Sequence, residues 1–245
     1  MNNYGITDTG KQRPTNQDCF GTLSLRNGMT LLTVCDGMGG AMGGETASRL
    51  ALDTYTSYCK KNLRRGLDAI KIRSILSEAV HAANSAVYLA AQKNKELEGM
   101  GTTLVSALIT KDKSEIFIVN AGDSRAYMIN SEEITQLSLD HTYVQLLVDK
   151  GDITREEAAV HPDRHVITRA IGVHESVSAD IDRIKAVSPA YILLCSDGLH
   201  GLISEEDIKR LTLADTDPQE KLDSLVGLAN ENGGFDNITV VIGEL

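Results

Sequence analysis

The chain has 245 residues, of which 42% are hydrophobic and 24% charged, enough for one large or two small globular units with a buried core. A net charge of −10, no Trp and only 4% aromatic residues argue against a nucleic-acid surface, because the field repels phosphate and no stacking platform is offered. Cys19, Cys35, Cys59 and Cys195 show no Cys-x-x-Cys spacing, so neither a zinc nor a disulfide framework is expected.

No apolar run approaches the ~20 residues of a membrane-spanning helix. Met1-Asn2-Asn3-Tyr4-Gly5 lacks the basic and apolar regions of a secretory signal. These features predict a cytoplasmic protein without a membrane partner. No coiled-coil or broad apolar pattern appears, so a monomer is the default.

Strands are expected first, over residues 4–9, 19–25 and 29–35. Asn27-Gly28 joins the last two, a pair that can take positive φ in a tight hairpin. After the glycine-rich stretch 37–44 the period changes. Ala47, Leu50, Ala51, Thr54 and Tyr58 recur at helical spacing, as do Ile72, Ile75, Leu76, Ala79, Ala82, Ala83, Ala86 and Leu89. Two long packed helices follow from this. Strands return at 102–110, 115–119 and 125–129, with a turn at 111–114. A helix is expected over 142–150, then an irregular polar stretch to about 169. Strands 178–186 and 191–195, helices 205–212 and 218–230 and a final strand 237–242 complete the chain. Strands in runs and helices in pairs favour an α+β fold of antiparallel sheets with helical layers over alternating βαβ units.

Two apolar runs end alike: Leu31-Leu32-Thr33-Val34-Cys35-Asp36-Gly37 and Tyr191-Ile192-Leu193-Leu194-Cys195-Ser196-Asp197-Gly198. Each reads as a buried strand that delivers an aspartate to its C-terminal end and turns on glycine. A third aspartate, Asp236, precedes the run Ile238-Thr239-Val240-Val241-Ile242. Charge at a buried strand end is costly. Two carboxylates ~4 Å apart repel by on the order of 4 kcal/mol even at moderate dielectric. One Asp-Gly after a strand is an ordinary turn; three strand-associated aspartates favour a site for a cation. An all-oxygen donor set selects Mg²⁺ or Mn²⁺ over zinc, and the Gly37 carbonyl can join it.

The loop Gly10-Lys11-Gln12-Arg13-Pro14-Thr15-Asn16-Gln17-Asp18 supplies an arginine and a carboxylate. Beside a dimetal centre Arg13 suits bidentate capture of a phosphate, although alone it reads as a solvated surface residue. Ala121-Gly122-Asp123-Ser124-Arg125 adds a fourth strand-end aspartate. An internal Asp123–Arg125 pair and an outer metal ligand stand level as readings of it. The glycines at 37–44 lack the Gly-Lys-Ser/Thr ending of a P-loop and the Rossmann spacing.

Taken together, Arg13, Asn16-Gln17-Asp18, Asp36-Gly37-Met38-Gly39-Gly40, Gly101-Thr102-Thr103, Ala121-Gly122-Asp123-Ser124-Arg125, Thr168-Arg169-Ala170-Ile171-Gly172, Ser196-Asp197-Gly198 and Asp236-Asn237 resemble the metal-dependent protein phosphatases of the 2C type, in particular their short bacterial members. The match is collinear from Gly5 onward. The resemblance implies a four-layer α-β-β-α sandwich, two antiparallel sheets flanked by helix pairs, and one catalytic domain over residues 1–245 with a flap subdomain at about 144–169. It implies two Mn²⁺ or Mg²⁺ ions and a third, weaker one. Asp36 would bridge the two metals, the Gly37 carbonyl would hold one, and Asp197 and Asp236 the other. Asp123, with Asp197, would match the third site. Arg13 would bind the substrate phosphate, and Asp18 would support the centre from behind the ligands or through water. The implied reaction is hydrolysis of phosphoserine and phosphothreonine by direct attack of a dimetal-activated water, on phosphoproteins that include a Ser/Thr kinase.

Two positions depart from the pattern. Met38 replaces the histidine that many eukaryotic relatives place after Asp-Gly and cannot donate a proton, as in many bacterial relatives. The general acid is therefore unassigned, with water at the metals first and His141 second. A packed or exposed role is the plainer reading of His141, and the same holds for His161 and His165. Gln17 replaces a glutamate often seen there. Two competing readings are a phosphatase for a small phosphoester or regulatory phosphoserine protein and a non-catalytic phosphoprotein binder; the latter is expected to have lost a metal aspartate, and none is missing.

Overall fold

The computed structural model describes residues 2–187 and 189–245. Eleven strands form two antiparallel sheets among the described residues. One sheet has the order β1 (Asn3–Asp8), β11 (Ile238–Glu244), β10 (Tyr191–Cys195), β7 (Arg125–Ile129), β8 (Ile134–Gln136). The other has the order β2 (Asp18–Ser24), β3 (Thr30–Met38), β5 (Leu104–Ile109), β6 (Glu115–Ala121), β9 (Asp180–Lys185), and the two-residue β4 (Gly101–Thr102) pairs with the end of β3.

Alternation along the central strands builds three apolar layers, because successive side chains point to opposite faces. Leu32, Val34, Val105, Ile116, Ile118, Ile192, Leu194 and Val241 meet between the sheets. Their neighbours Leu31, Leu108 and Phe117 face outward onto Tyr55 and Leu76. Those two residues lie on α1 (Gly40–Asn62) and α2 (Ala69–Lys93). Leu193, Val240 and Ile242 face the other way, onto Leu199, Ile208, Leu222 and Leu225. These belong to α5 (Asp197–His200), α6 (Glu205–Thr212) and α7 (Pro218–Glu231). The result is the α-β-β-α sandwich. Central strands covered on both faces explain why β3 and β5 read as nearly continuous apolar runs.

Local chemistry marks the helix ends. Asp68, Ser204 and Asp217 accept backbone N–H bonds as N-caps, and Pro218 opens α7 at the position where its missing N–H costs nothing. Thr142 caps α3 (Tyr143–Lys150), and Gly151 ends it in the left-handed conformation. Thr154 and Glu157 form a reciprocal capping box on α4 (Arg155–Ala159), a helix inside the stretch expected to be irregular.

Most elements fall within a few residues of expectation, and the differences have physical causes. At the β2–β3 turn Gly28 alone takes a positive φ, 89°, while Asn27 is buried and donates through Nδ2 to the Leu63 carbonyl. The glycine-rich stretch is half helix: α1 starts at Gly40. β3 does not turn at Gly37 but continues to Met38, where Gly37 and Met38 pair with Thr102 and Gly101. β8 and α5 are short and amphiphilic signals too brief to stand out along the chain.

Candidate active site

Five aspartates gather at one end of the sandwich, from five separate stretches of chain. Asp18 and Asp36 are register partners on β2 and β3. Asp36 is clamped through its backbone: Thr103 N–H and Thr102 Oγ1 donate to its carbonyl at 2.8 and 2.9 Å, and its own N–H donates to Thr103 Oγ1 at 2.9 Å. Thr103 Oγ1 in turn meets Ser124 Oγ at 2.8 Å, beside Asp123. The Gly101-Thr102-Thr103 motif thus holds the Asp36 backbone and ties it to the Asp123 turn.

Asp18 joins the two sheets. Its Oδ2 accepts from Ser196 Oγ and Thr239 Oγ1, both at 2.7 Å. Because Thr239 gives its proton to the carboxylate, Thr7 Oγ1 must donate to Thr239 Oγ1 at 2.7 Å, and Asn16 Nδ2 donates to Thr7 Oγ1 at 2.8 Å. Asn237 fastens the Arg13 loop: its Oδ1 accepts from Gln17 N–H, and its Nδ2 donates to the Thr9 and Thr15 carbonyls. The Gln17 side chain donates to the Gly40 carbonyl at the start of α1.

The glycines next to Asp36 and Asp197 serve close approach rather than turning. A Cβ on Gly37 would lie 2.1 Å from the Gly44 carbonyl oxygen, and one on Gly198 would lie 2.1 Å from that of Asn237. Neither has a positive φ. Asp197 opens the short helix α5, with Ser196 as the residue before it.

The electrostatics are those of crowded carboxylates. Burial pushes the Asp36 carboxyl well above its ordinary range, and Asp18, Asp197, Asp123 and Asp236 add to the shift. Asp18 is pushed up to about 7 by burial, against the two hydroxyl bonds it accepts and with Asp197 and Asp236 adding repulsion. Asp123 also rises to about 7, by burial and then by Asp197. Asp197 rises by burial and then by Asp236. The Arg13 guanidinium is the cation that bonds into this group, at 2.6 Å from Asp236 Oδ2, with its side chain 53% exposed.

Buried Oδ1 atoms of Asp18, Asp123 and Asp197 have no hydrogen-bond partner. Unpartnered carboxylate oxygens in a buried, repelling set fit a hard divalent cation with oxygen ligands. No three His, Cys, Asp or Glu side chains among the described residues are posed as a finished ligand set. The fit therefore rests on the donor chemistry and the unpartnered oxygens.

The Asp123–Arg125 pair does not form. Arg125 instead forks onto Asp140, with Nε 3.0 Å from both carboxylate oxygens and Nη2 2.7 Å from Oδ2. Asp123 is left with a free buried oxygen, which favours the ligand reading. His141 is locked: its Nδ1 accepts from Gly122 N–H at 3.2 Å, and its Nε2 lies 3.0 Å from Asp180 Oδ2 and 3.1 Å from Arg169 Nη1. Burial lowers its pKa. It is a packed histidine, which removes it as a proton donor to a leaving group. His161 accepts from Asp163 N–H and packs edge-on against Tyr143. His165 instead lines a cavity of about 640 Å³ with Asp123, Asp197, His200, Arg164 and Gln145. His200, held neutral by burial at about 3, donates from Nε2 to the Asp123 carbonyl at 3.0 Å.

Sequence reading missed Thr239, Asp140 and His200. Thr239 is a polar residue inside an apolar strand, the one local signal that was available; Asp140 and His200 act on partners 15 and 77 residues away.

Residues 10–226 match the family profile described as Protein phosphatase 2C. The chain is 34% identical over 238 residues to the serine/threonine phosphatase stp of Listeria monocytogenes, covering 97% of this chain and 93% of that protein. It is 35% identical over 240 residues to the protein phosphatase PhpP of Streptococcus pneumoniae, covering 97% and 94%. Among solved structures, the serine/threonine phosphatase Stp1 from Staphylococcus aureus superposes with a TM-score of 0.91 at 36% identity, covering 99% of this chain and 94% of that one. The Mycobacterium tuberculosis serine/threonine phosphatase PstP/Ppp superposes with a TM-score of 0.87 at 35% identity, covering 100% and 98%.

Proposed function

The chain belongs to the protein phosphatase 2C family and is a metal-dependent serine/threonine protein phosphatase, and on that premise we propose how its residues divide the work. Asp36 and the Gly37 carbonyl on one side and Asp197 and Asp236 on the other would hold two divalent ions, with Asp36 shared between them. Asp123 with Asp197 would hold a third, weaker ion. Mn²⁺ or Mg²⁺ bound there would supply positive charge to the phosphoryl oxygens and an activated water, chemistry that needs no phosphoenzyme.

The remaining roles belong to the chain's own groups. Arg13 turns its half-exposed guanidinium from Asp236 to two phosphate oxygens, a change of partner that its fork geometry permits. Asp18 fixes β2 against β10 and β11 through Ser196 and Thr239, which holds Asp36 in place from behind. Neither Met38 nor the locked His141 gives a proton to the leaving alkoxide, so that proton comes from water. Residues 1–245 act as one catalytic domain in which 144–169 is a flap beside the site. The enzyme works as a cytoplasmic monomer on phosphoproteins, among them a Ser/Thr kinase that it opposes.

The observation that supports this reading is the set of three unpartnered buried carboxylate oxygens beside a single bonded guanidinium. The test is hydrolysis of a phosphothreonine peptide with and without Mn²⁺, by wild type, Asp36→Asn and Asp236→Asn. Both variants should lose metal-dependent turnover. Full activity in both would sink the metal assignment.

A further inference from the structure

The α1–α2 hairpin carries a charge pattern that phosphate hydrolysis does not use. Between Lys60 and Arg73 stand Lys60, Lys61, Arg64, Arg65, Lys71 and Arg73 against Asp68 alone, in a chain of net charge −10. All six basic residues are exposed, as is Arg26 on the adjoining β2–β3 turn. That turn is tied to the hairpin by the 3.3 Å bond from Asn27 Nδ2 to the Leu63 carbonyl. Asp68 serves both the helix and one of the cations: its Oδ1 caps α2 by accepting from Lys71 N–H at 2.8 Å, and its Oδ2 lies 4.0 Å from Lys71 Nζ.

Helix stability explains only part of this cluster. Lys60 and Lys61 lie in the last turn of α1, where cations complement the negative end of the helix dipole. Lys71 and Arg73 lie at the start of α2, where the dipole is positive and cations work against it. The exposed Lys71–Asp68 pair at 4.0 Å offsets little of this, and Arg73, like Arg64 and Arg65, is in no ion pair among the described residues, which points to a role outside the fold. The hairpin is also presented rigidly, because Leu63 and Ile72 are buried in the core beneath it. Between them projects Ile70, at 82% the most exposed large hydrophobic among the described residues.

The corner lies away from the aspartates. β3 leaves it at Thr30 and reaches Asp36 six residues later, roughly 20 Å at the rise of a strand. A Debye length of about 8 Å at physiological salt screens the acidic centre from any surface that touches the hairpin.

We propose that this corner is a peripheral docking surface for an anionic lipid bilayer, with the cations over the headgroups and Ile70 entering the interface. This departs from the expectation of no membrane partner. No helix among the described residues is long and apolar enough to cross a membrane, and docking of this kind needs none. A cluster of four to eight Lys and Arg is the usual requirement for such attraction. A bilayer is favoured over nucleic acid because no aromatic residue lies between Lys60 and Arg73 to stack on bases. The exposed cations also flank an exposed aliphatic residue, Ile70, along the chain, which suits hydrocarbon and not a phosphate-lined groove.

The test is sedimentation of the full chain with phosphatidylcholine vesicles, with and without phosphatidylglycerol. Binding is expected only to the anionic vesicles and should be lost at high salt. Arg64→Gln with Arg65→Gln should weaken partitioning about 30-fold, two charges at roughly 1 kcal/mol each. Hydrolysis of a soluble phosphopeptide should be unchanged in that variant. Ile70→Ser should weaken binding without altering its salt dependence. Lys60→Gln with Lys61→Gln provides an independent pair if the first fails to fold. No binding to anionic vesicles, equal binding to neutral ones, binding unmoved by both pairs, or tighter binding to duplex DNA would each overturn the proposal.

Discussion

Asp36 and Asp197 reach the same end of the sandwich on different supports. Asp36 rides inside a strand that continues past it, with Asp18 opposite and Thr102 and Thr103 gripping its backbone. Asp197 stands in the first turn of a four-residue helix, after a strand that has already ended, and one of its oxygens has no partner. A ladder fixes a residue from both sides. A helix start fixes it from one side and leaves the carboxylate free to meet a ligand. The two similar sequences therefore deliver different degrees of constraint, in keeping with the bridging role proposed for Asp36 and the one-sided role proposed for Asp197.

Metal stoichiometry would break this contrast most sharply. Asp36→Asn should lose on the order of 10³-fold in kcat and bind no Mn²⁺ tightly by calorimetry, because in the proposed assignment this one residue would serve both ions. Asp197→Asn should keep one tightly bound ion. Equal stoichiometry in the two variants would mean that the supports differ but the roles do not.

The glycines sharpen the same comparison. Gly37→Ala and Gly198→Ala each place a methyl 2.1 Å from a carbonyl oxygen, so each should lower stability by about 1–3 kcal/mol in urea unfolding. Gly37 is paired with Thr102 on β4, and a second carbonyl oxygen, that of Gln17, would lie 2.6 Å from the added methyl. Its substitution should cost the more, and a larger loss at Gly198 would reverse the ranking of the two supports.

A pH series probes the shared charge. Asp18 and Asp123 have folded pKa values raised to about 7, above their unfolded values near 4. Their contribution to stability is complete below the unfolded value and is lost as pH rises through about 7. The metal-free chain should therefore lose Tm between about pH 5 and pH 8, and added Mn²⁺ should restore it most at the alkaline end. A metal-free Tm that rises over this range would show the carboxylates to be better solvated than their burial indicates.

The smallest effect is expected from Arg13. Its bond to Asp236 is half exposed, so Arg13→Ala should change stability by less than about 1 kcal/mol while raising KM for a phosphopeptide. Loss of folding in this variant would make Arg13 a structural clamp on the Asp236 loop.

Legibility followed the range of the interaction. The long helices showed in the spacing of Ala47, Leu50 and Ala51 and of Ile72, Leu76 and Ala79, since a helix repeats its pattern locally. The Asp-Gly pairs announced costly charge near glycine, but not why glycine was needed. The reading of a turn failed at Gly37, where β3 runs on to Met38, and at both glycines the need for close approach was hidden, because the crowding oxygens belong to Gly44 and Asn237, the latter 39 residues downstream of Gly198. His141 read as a packed or exposed histidine, but the partner that packs it, Asp180, lies 39 residues on and could not be named from the chain.

By itself the sequence determined the alternation and periodicity of the layers, the ordered motifs of the phosphatase family and the identity of the aspartates. Local spacing and residue chemistry carry that information. Only the tertiary structure decided that Arg125 turns to Asp140 and leaves Asp123 open, that Asp36 lies within a ladder while Asp197 opens a helix, and that Asp18 ties one sheet to the other through Ser196 and Thr239. Those partners lie up to 221 residues apart, and a hydrogen bond leaves no periodic trace along the chain that brings its two ends together.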